Sequence, residues 1–469
     1  MSATPTAPRR VLGFRDLIFY YLVTGISLRW ISFAAAAGPS VLLVWLGAWL
    51  TFALPLILSV LKLSSRFPQE GGLYLWSKQA FGEFGGFMAG WTYWTSNLPY
   101  FPTVLYFAAG SALYIRGGTA AVAGTSPAFF IAFSLVSLLV ITVLNIRGLE
   151  LGKWVNNLGA AGMWIPILVL VGIAAAALHR FGSATQFTAA ALVPEASLKD
   201  AIFWSAIAFA LCGCEAASFM GDEIADPRRN VPRALLTGSL LSTFGYILGT
   251  IAILVLLPYH TVDTLEGLLQ AVADGASRLG LAGVLAPVAL LILVSNVGAA
   301  GAFLAACSRV PFVAGLDRYL PAAFARLHPR WATPHVSLWT QFIAAAVFVF
   351  LGQAGTSVKG AYEVLVSMTV ISTFIPYLFL FAAMVRLARR VEEGAEPGMF
   401  RIPGGAPVST AFAILGFTTT LACIILSVIP PADEPNKPLA VLKIVGLSLL
   451  LLAAGLAAYA GGARHAHHR

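Results

Sequence analysis

The chain has 469 residues, of which 59% are hydrophobic and only 10% are charged. Soluble domains are nearer about 45–50% apolar and about 25% charged, so the composition excludes an ordinary soluble enzyme or binding domain. The net charge of +9 does not indicate a nucleic-acid partner, because the charged residues lie in loops between long apolar stretches, as in membrane proteins.

Apolar stretches close to the ~20 residues that a membrane-spanning helix needs recur along the whole chain. They predict about twelve spans joined by short loops, with no separate soluble domain. The predicted spans are 15–37, 40–62, 84–115, 127–146, 157–178, 201–220, 233–257, 283–306, 334–352, 361–386, 408–429 and 439–460. The chain is therefore predicted to be an all-α polytopic membrane protein.

The positive charges predict the orientation of these spans. Of the 29 Lys and Arg residues, 21 fall on the side of the N-terminus, 7 fall on the opposite side, and Arg29 lies within the first span. An excess of Lys and Arg marks the cytoplasmic side of a membrane protein. Both termini, 1–14 and 461–469, are therefore predicted to be cytoplasmic, in a protein of the cell membrane (plasma or inner).

Two ionisable residues inside spans are candidates for function, because a charge in the bilayer is costly. Arg29 lies in the first span, close to Gly25 and Ser27, and Glu215 lies in the sixth span, close to Gly213. Glycine beside small polar residues lets a membrane helix unwind, and secondary transporters bind substrates and ions at such breaks. Alternatively, the glycines only permit close helix packing and the two charges form a structural pair.

The two candidate breaks occupy corresponding positions, since one lies in the first span and the other in the sixth. Two repeats of five helices, each opening with a broken helix, would produce this arrangement. The repeat is not visible as sequence identity, so it is suggested by composition alone.

Three stretches then show a resemblance to a known family. They are 68–74 before the third span, 221–234 after the sixth span, and 308–309 with 320–321 and 333–334 after the eighth span. The sequence GDEIADPRRNVPRA of the second stretch is the most specific of the three. On these motifs, the chain resembles the amino acid–polyamine–organocation transporter superfamily and its amino acid permeases.

The resemblance implies a leucine-transporter-type fold. Two inverted five-helix repeats, 15–178 and 201–386, would be followed by helices 11 and 12 at 408–460. The family works by alternating access around a central site between helices 1, 3, 6, 8 and 10, so the same mechanism is expected here.

The resemblance also implies roles for residues at the two breaks. Gly25, Ile26 and Ser27 would bind a substrate carboxylate through backbone N–H groups, Phe209 would close over the substrate, and Gly213 would mark the second break. Glu215 would match a carboxylate implicated in proton coupling. Physical chemistry agrees with that role, because burial disfavours the charged form of a carboxyl group and favours proton uptake.

Arg29 departs from the family pattern, in which several glycines often form the first break. If it faces the cavity, its fixed charge would attract carboxylates and repel polyamines; alternatively it pairs with Glu215 and leaves the cavity nearly neutral. On the third helix, Asn97 and its neighbour Ser96 either hydrogen-bond the substrate or pack against other helices.

The coupling ion is predicted from two further positions. Proton-coupled relatives can carry a lysine on the fifth helix where this chain has Met163, so lysine-dependent coupling is not expected. Ser295 on the eighth helix is a candidate sodium ligand, although a serine in a membrane helix commonly bonds its own backbone. A proton is favoured over sodium.

The predicted function is secondary active transport of amino acids, by proton-coupled symport or by exchange. A polyamine transporter and a transport-inactive membrane sensor are the alternatives on the same fold. No zinc-protease, nucleophile-elbow or phosphate-loop motif is present, so no enzyme activity, cofactor or metal site is predicted. The expected partners are the bilayer, a small-molecule substrate and an ion, and no oligomeric state is predicted.

Overall fold

The structure is a computed structural model that describes residues 14, 17, 18, 21, 25–67, 71–116, 126–147, 151–195, 197–215, 226–316, 319–331, 333–393, 399–430 and 436–467. For 151–161, 199, 227–229, 306, 309–316, 322, 325 and 463–467 it describes the backbone alone. The described residues do not include 1–13 of the N-terminal tail, 68–70 of the first family motif, 216–220 of the predicted sixth span or 221–225 of the second family motif.

The described residues form helices and connecting turns, with no strand among them. The principal helices are α1 (Arg29–Ala35), α2 (Val41–Arg66), α3 (Gly72–Leu113), α4 (Pro127–Ile146), α5 (Leu151–Phe181), α6 (Leu198–Ala210), α7 (Pro227–Leu256), α8 (Leu285–Leu316), α9 (His335–Gln353), α10 (Val358–Glu393), α11 (Gly405–Ser427) and α12 (Lys437–His467).

Nine helices within the described ranges are long and apolar enough to cross a membrane, namely α2, α4, α5 and α7 to α12. The other three predicted spans correspond to α1, α3 and α6. Helices α1 and α6 are short because each adjoins a break in its span. The prediction of an all-α polytopic membrane protein is confirmed.

Helix α3 is longer than the predicted span 84–115. It begins at Gly72 and contains one non-helical residue, Gly82, with φ 77° and ψ −167°. Glycine adopts positive φ without a steric penalty, so the chain turns there and continues as a helix. The segment before Gly82 contains Lys78 and Gln79. Because these residues are polar, apolar length alone does not predict the first part of α3.

The connection between α7 and α8 contains an amphipathic helix, Gly267–Arg278, which we name the loop helix. The carboxylate of Asp263 accepts hydrogen bonds from the backbone N–H groups of Leu265 and Glu266 before the helix begins. The N–H of Leu268 donates to Ser32 Oγ of α1 at 2.8 Å. The loop helix thus holds the end of α1 against the bundle and packs on α5, α7 and α8.

Helix α10 runs through the centre of the bundle, where it packs against α3 and α11. In its apolar window 72% of the residues are buried, against 22% in α12, so α12 lies at the periphery, where lipid would cover it. Phe52 of α2 contacts Phe374 and Tyr377 of α10 with ring centroids 5.2 and 6.0 Å apart. These aromatic contacts fix α2 against α10.

A buried ion pair joins the same two helices near their C-terminal ends. The ammonium of Lys62, whose side chain is 1% exposed, hydrogen-bonds the carboxylate of Glu392, which is 29% exposed. The two residues differ in solvent exposure: the carboxylate of Glu392 is partly accessible to solvent, whereas the ammonium of Lys62 is buried.

That asymmetry predicts different effects of removing each partner. Glu392→Gln leaves a buried ammonium without a counter-charge and should reduce the free energy of unfolding by about 1–3 kcal/mol. Lys62→Met removes the buried charge itself and should cost less. Thermal unfolding of the purified protein in detergent measures both, with the exposed neighbour Glu393→Gln as the matched control. An equal loss in the two variants would contradict this account.

Candidate functional site

The first span is interrupted where the sequence predicted a break. Residues 14, 17, 18 and 21 are helical, Gly25 to Ser27 are not, and α1 begins at Arg29. The N–H of Gly25 donates to Tyr21 O at 2.7 Å. A Cβ atom at Gly25 would lie 2.6 Å from that same oxygen. The close approach of residue 25 to the Tyr21 carbonyl therefore requires glycine.

The second break follows α6, which ends at Ala210. Gly213 has a φ of 106°, in the region that favours glycine, and the chain turns there before Glu215. The Gly213 N–H donates to Glu215 Oε2 at 3.1 Å. The carboxylate therefore hydrogen-bonds a backbone group that the break has released from helical bonding.

The hydroxyl of Tyr246 on α7 connects the two breaks. It accepts a hydrogen bond from the Ser27 N–H at 2.9 Å and lies 3.2 Å from Gly25 O and 3.3 Å from Ala210 O. The ring of Tyr246 is stacked on Trp45, with centroids 4.5 Å apart and planes 9° apart. Unpaired backbone groups are costly in a bilayer, and this one side chain contacts three of those that the breaks create.

A cavity of about 90 Å³ lies between the breaks and is lined from α1, α3, α5, α6, α7, α8 and α10. This volume has room for several water molecules or for a small solute that displaces them. The predicted site residues that line it are Gly25, Ile26, Ser27, Arg29, Asn97, Phe209, Gly213 and Glu215. The structure thus brings eight of the nine predicted positions to one cavity.

Ser295 is the predicted site residue that lies elsewhere. It is 1% exposed, and its hydroxyl lies 3.0 Å from Ile292 O and 3.3 Å from Gly162 O. It packs so closely on α5 that a Cβ atom at Gly162 would lie 2.5 Å from the Ser295 Cβ. Its sodium role stays a prediction, and its hydroxyl bonds its own helix and α5.

Several lining residues were not assigned to the site from the sequence. They are Trp30, Tyr93, Tyr100, Ala210, Cys212, Tyr246, Asn296, Ala299, Phe303, Thr373 and Tyr377. On α3, the spacing of Tyr93, Asn97 and Tyr100 places them on one helix face, so the first and third could have been found from Asn97. Tyr246 gave no such signal, because an aromatic residue in an apolar span is typical of packing. Ser96 and Met163, whose positions the sequence singled out, also line the cavity.

Arg29 is buried at the cavity wall, with 2% of its surface exposed. Its guanidinium carbon lies 4.8 Å from the ring centroid of Trp30 and 5.2 Å from that of Tyr100. Its Nε and one terminal nitrogen have no hydrogen-bond partner, and it forms no ion pair with a carboxylate of any described residue. The aromatic faces compensate its charge in part through cation–π attraction.

Glu215 lines the same cavity and is 3% exposed. Besides the Gly213 N–H, the hydroxyl of Tyr93 donates to its Oε1 at 3.4 Å. Arg29 and Glu215 therefore line one space, and no ion pair joins them in the described structure. They are the two formally charged side chains among the described lining residues.

Phe209 and Asn97 border the cavity through different kinds of contact. The ring of Phe209 packs against Trp30 and Phe374 at centroid distances of 5.2 and 6.0 Å and borders the cavity. The amide nitrogen of Asn97 donates to Tyr93 O, four residues earlier on the same helix, at 2.9 Å. The amide oxygen of Asn97 is then the group that can accept a hydrogen bond from a ligand.

A break in the first span, a second break after α6 and a small cavity between them within an apolar bundle are the arrangement in which secondary transporters bind their substrates. The chain belongs to the amino acid permease family, whose model matches residues 13–450. This is a family of transporters and not of enzymes. The resemblance that the sequence motifs indicated is confirmed over nearly the whole chain.

Individual relatives and a solved structure agree with this assignment. An uncharacterized transporter of Legionella pneumophila is 28% identical over 92% of this chain and 92% of its own length. The serine/threonine exchanger SteT of Bacillus subtilis is 25% identical over 86% of this chain and 84% of its own. The structure of MhsT in complex with L-phenylalanine matches with a TM-score of 0.59 at 15% identity, covering 97% of this chain and 100% of that chain. This last likeness shows the leucine-transporter-type fold.

The bonds of Tyr246 predict that this residue controls the geometry of the cavity. Tyr246→Phe leaves the Ser27 N–H without its partner and should destabilise the protein by about 1–3 kcal/mol. It should also weaken substrate affinity about tenfold, the equivalent of about 1.4 kcal/mol. The reason is that the backbone at both breaks, which lines the cavity, loses its hydrogen bonds to the Tyr246 hydroxyl. Thermal unfolding and ligand titration measure the two effects.

The matched control is Tyr106→Phe, which removes a buried hydroxyl bonded to Gln353 Oε1 at 3.0 Å and lies away from the cavity lining. It should lose stability without a change of affinity. Equal affinity losses in the two variants would mean that Tyr246 acts through general stability alone.

Proposed function

We propose that this protein is a secondary active transporter that carries amino acids across the cell membrane by alternating access. The observation that carries the proposal is the cavity between two helix breaks, lined by one buried arginine and one buried glutamate. The repeats 15–178 and 201–386 would move around this cavity, and the Lys and Arg asymmetry of the loops supports cytoplasmic termini. The amino-acid exchanger among the relatives supports the substrate class.

Arg29 would bind the substrate carboxylate. A guanidinium group forms strong charge-assisted hydrogen bonds with carboxylates, and two nitrogens of Arg29 have no hydrogen-bond partner among the described residues. The predicted backbone contribution of Gly25, Ile26 and Ser27 is then smaller, because the Ser27 N–H already donates to Tyr246. A fixed positive charge in the cavity also disfavours the alternative of polyamine transport, since polyamines are cations.

Phe209 would close over the bound substrate, and Asn97 would accept a hydrogen bond from it. The ring of Phe209 already contacts Trp30 of α1, so a movement of α1 against α6 would carry this ring across the cavity. Gly213 would let α6 turn at its break and keep its N–H on Glu215.

Glu215 would bind the coupling proton. Its carboxylate is buried, which favours the neutral form, and its donors, the Gly213 N–H and Tyr93 hydroxyl, suit the ionised form. A group balanced between these influences can exchange a proton during a transport cycle. Obligatory exchange of one amino acid for another is the second mode, and coupling to sodium through Ser295 has less support because its hydroxyl is bonded to backbone oxygens.

The first test is uptake of a labelled amino-acid mixture into proteoliposomes under an inward proton gradient. We expect accumulation that a protonophore abolishes. Accumulation that needs internal amino acid and ignores the gradient would assign exchange. Failure of every amino acid, with uptake of a labelled polyamine in the same vesicles, would overturn the proposed substrate class.

A second test isolates the proton site. Glu215→Gln should leave substrate binding measurable and make uptake independent of external pH, whereas uptake by the unsubstituted protein should rise as the external pH falls. The matched control is Glu363→Gln, which changes a buried carboxylate that accepts from Thr264 at 3.1 Å and does not line the cavity. An unchanged pH dependence in the Glu215 variant would remove this residue from coupling.

A further inference from the structure

The charges of the cavity also constrain the net charge of the substrate. An arginine side chain carries a fixed positive charge in proteins, so Arg29 contributes one positive charge in every state of the cycle. Glu215 is the one carboxyl group among the described lining residues, and a carboxyl group is either negative or neutral. With Glu215 ionised, the empty cavity carries no net formal charge.

Proton uptake by Glu215 changes this balance. The cavity then holds the charge of Arg29 alone, in a space whose surroundings are apolar helices. An uncompensated buried charge is strongly disfavoured, and the rings of Trp30 and Tyr100 compensate it only in part. A substrate with one net negative charge restores neutrality, while a zwitterion without net charge leaves one positive charge in the bilayer.

The bonding of Arg29 agrees with this requirement. A structural arginine of 2% exposure would be expected to bond a protein carboxylate or backbone oxygens. Here two guanidinium nitrogens have no hydrogen-bond partner in the described part of the chain, although Glu215 lines the same cavity. The two charged side chains therefore line the cavity separately and do not form an ion pair with each other.

Resting on the proposed function, we propose that the substrate transported with a proton on Glu215 is a monoanionic amino acid, that is, an amino-dicarboxylate such as glutamate or aspartate. Arg29 binds one of its two carboxylates. The proton and the anion cross together, so that the cavity is neutral both when empty and when loaded, and the transport step moves no net charge.

Other titratable groups near Glu215 do not alter this count at neutral pH. The groups that interact electrostatically with it are Tyr93 of α3, Tyr377 of α10, Cys307 of α8, and Cys212 and Cys214 of its own segment. Phenols and thiols in apolar surroundings are neutral at this pH. Glu215 and Arg29 thus determine the charge of the cavity.

Isosteric substrate pairs test the proposal. Uptake and binding of labelled L-glutamate against L-glutamine, and of L-aspartate against L-asparagine, compare molecules that differ in charge and hardly in shape. We expect the acidic member to be preferred about 10- to 100-fold, the range of one hydrogen-bonded charge. With valinomycin and potassium setting the membrane potential, glutamate uptake under a proton gradient should not depend on that potential.

Two variants assign the preference to the two charges. Arg29→Met should abolish the preference for glutamate over glutamine, and Arg29→Lys, which keeps the charge, should retain part of it and serves if the first variant does not fold. Glu215→Gln, a permanently neutral isostere, should keep the preference in binding while losing its dependence on pH.

The outcomes separate this inference from the proposed function. Equal or better transport of glutamine and asparagine, or uptake driven by the membrane potential, would overturn the charge-balance proposal and leave amino-acid transport standing. Preferential binding of glutamate without any uptake would support the charge argument and overturn transport. Failure of all four amino acids in vesicles that take up another amino acid of the labelled mixture would overturn the charge-balance proposal alone. Failure of the whole mixture would overturn both.

Discussion

The cavity depends on hydrogen bonding of the backbone groups that two helix breaks release inside an apolar bundle. A bilayer offers no water to these groups, so protein atoms must bond them. The Tyr246 hydroxyl accepts from the Ser27 N–H and lies within hydrogen-bond distance of Gly25 O and Ala210 O. Its ring is held by stacking on Trp45. The same hydroxyl therefore contacts the backbone at both breaks. A movement of the backbone at one break would change the hydrogen bonds of Tyr246 at the other.

Because Tyr246 bonds the backbone groups at the breaks, the side chains beside the breaks are available to line the cavity. Glu215 is bonded by the Gly213 N–H that its own break releases, and Arg29 begins the helix that follows the first break. The two charges lie in one space, and neither is bonded to the other. This arrangement is costly for stability, and an anionic ligand and a transferable proton are what would compensate it. The charge pattern therefore favours transport of a substrate over a purely structural role.

Much of this organisation is predictable from the sequence, because the responsible signals are local. Apolar length predicts the spans. An ionisable residue close to a glycine predicts each break, and this pattern identifies Arg29 and Glu215 as candidate site residues. The kink at Gly82 and the loop helix were missed because polar residues interrupt their apolar patterns. Tyr246 was missed for another reason: its role depends on atoms more than 200 positions away in the chain, and no local pattern distinguishes it from a packing aromatic. The bonding of Ser295 to Gly162 likewise depends on a distant contact.

The central claim is that the cavity between the breaks binds the substrate through Arg29. An experimental structure of the protein with a bound amino acid, determined in lipid or detergent, tests it most directly. The account predicts ligand density bordered by both breaks, with a carboxylate within hydrogen-bond distance of the Arg29 guanidinium. Density elsewhere in the bundle, or an Arg29 that bonds a protein carboxylate while the ligand is bound, would contradict it.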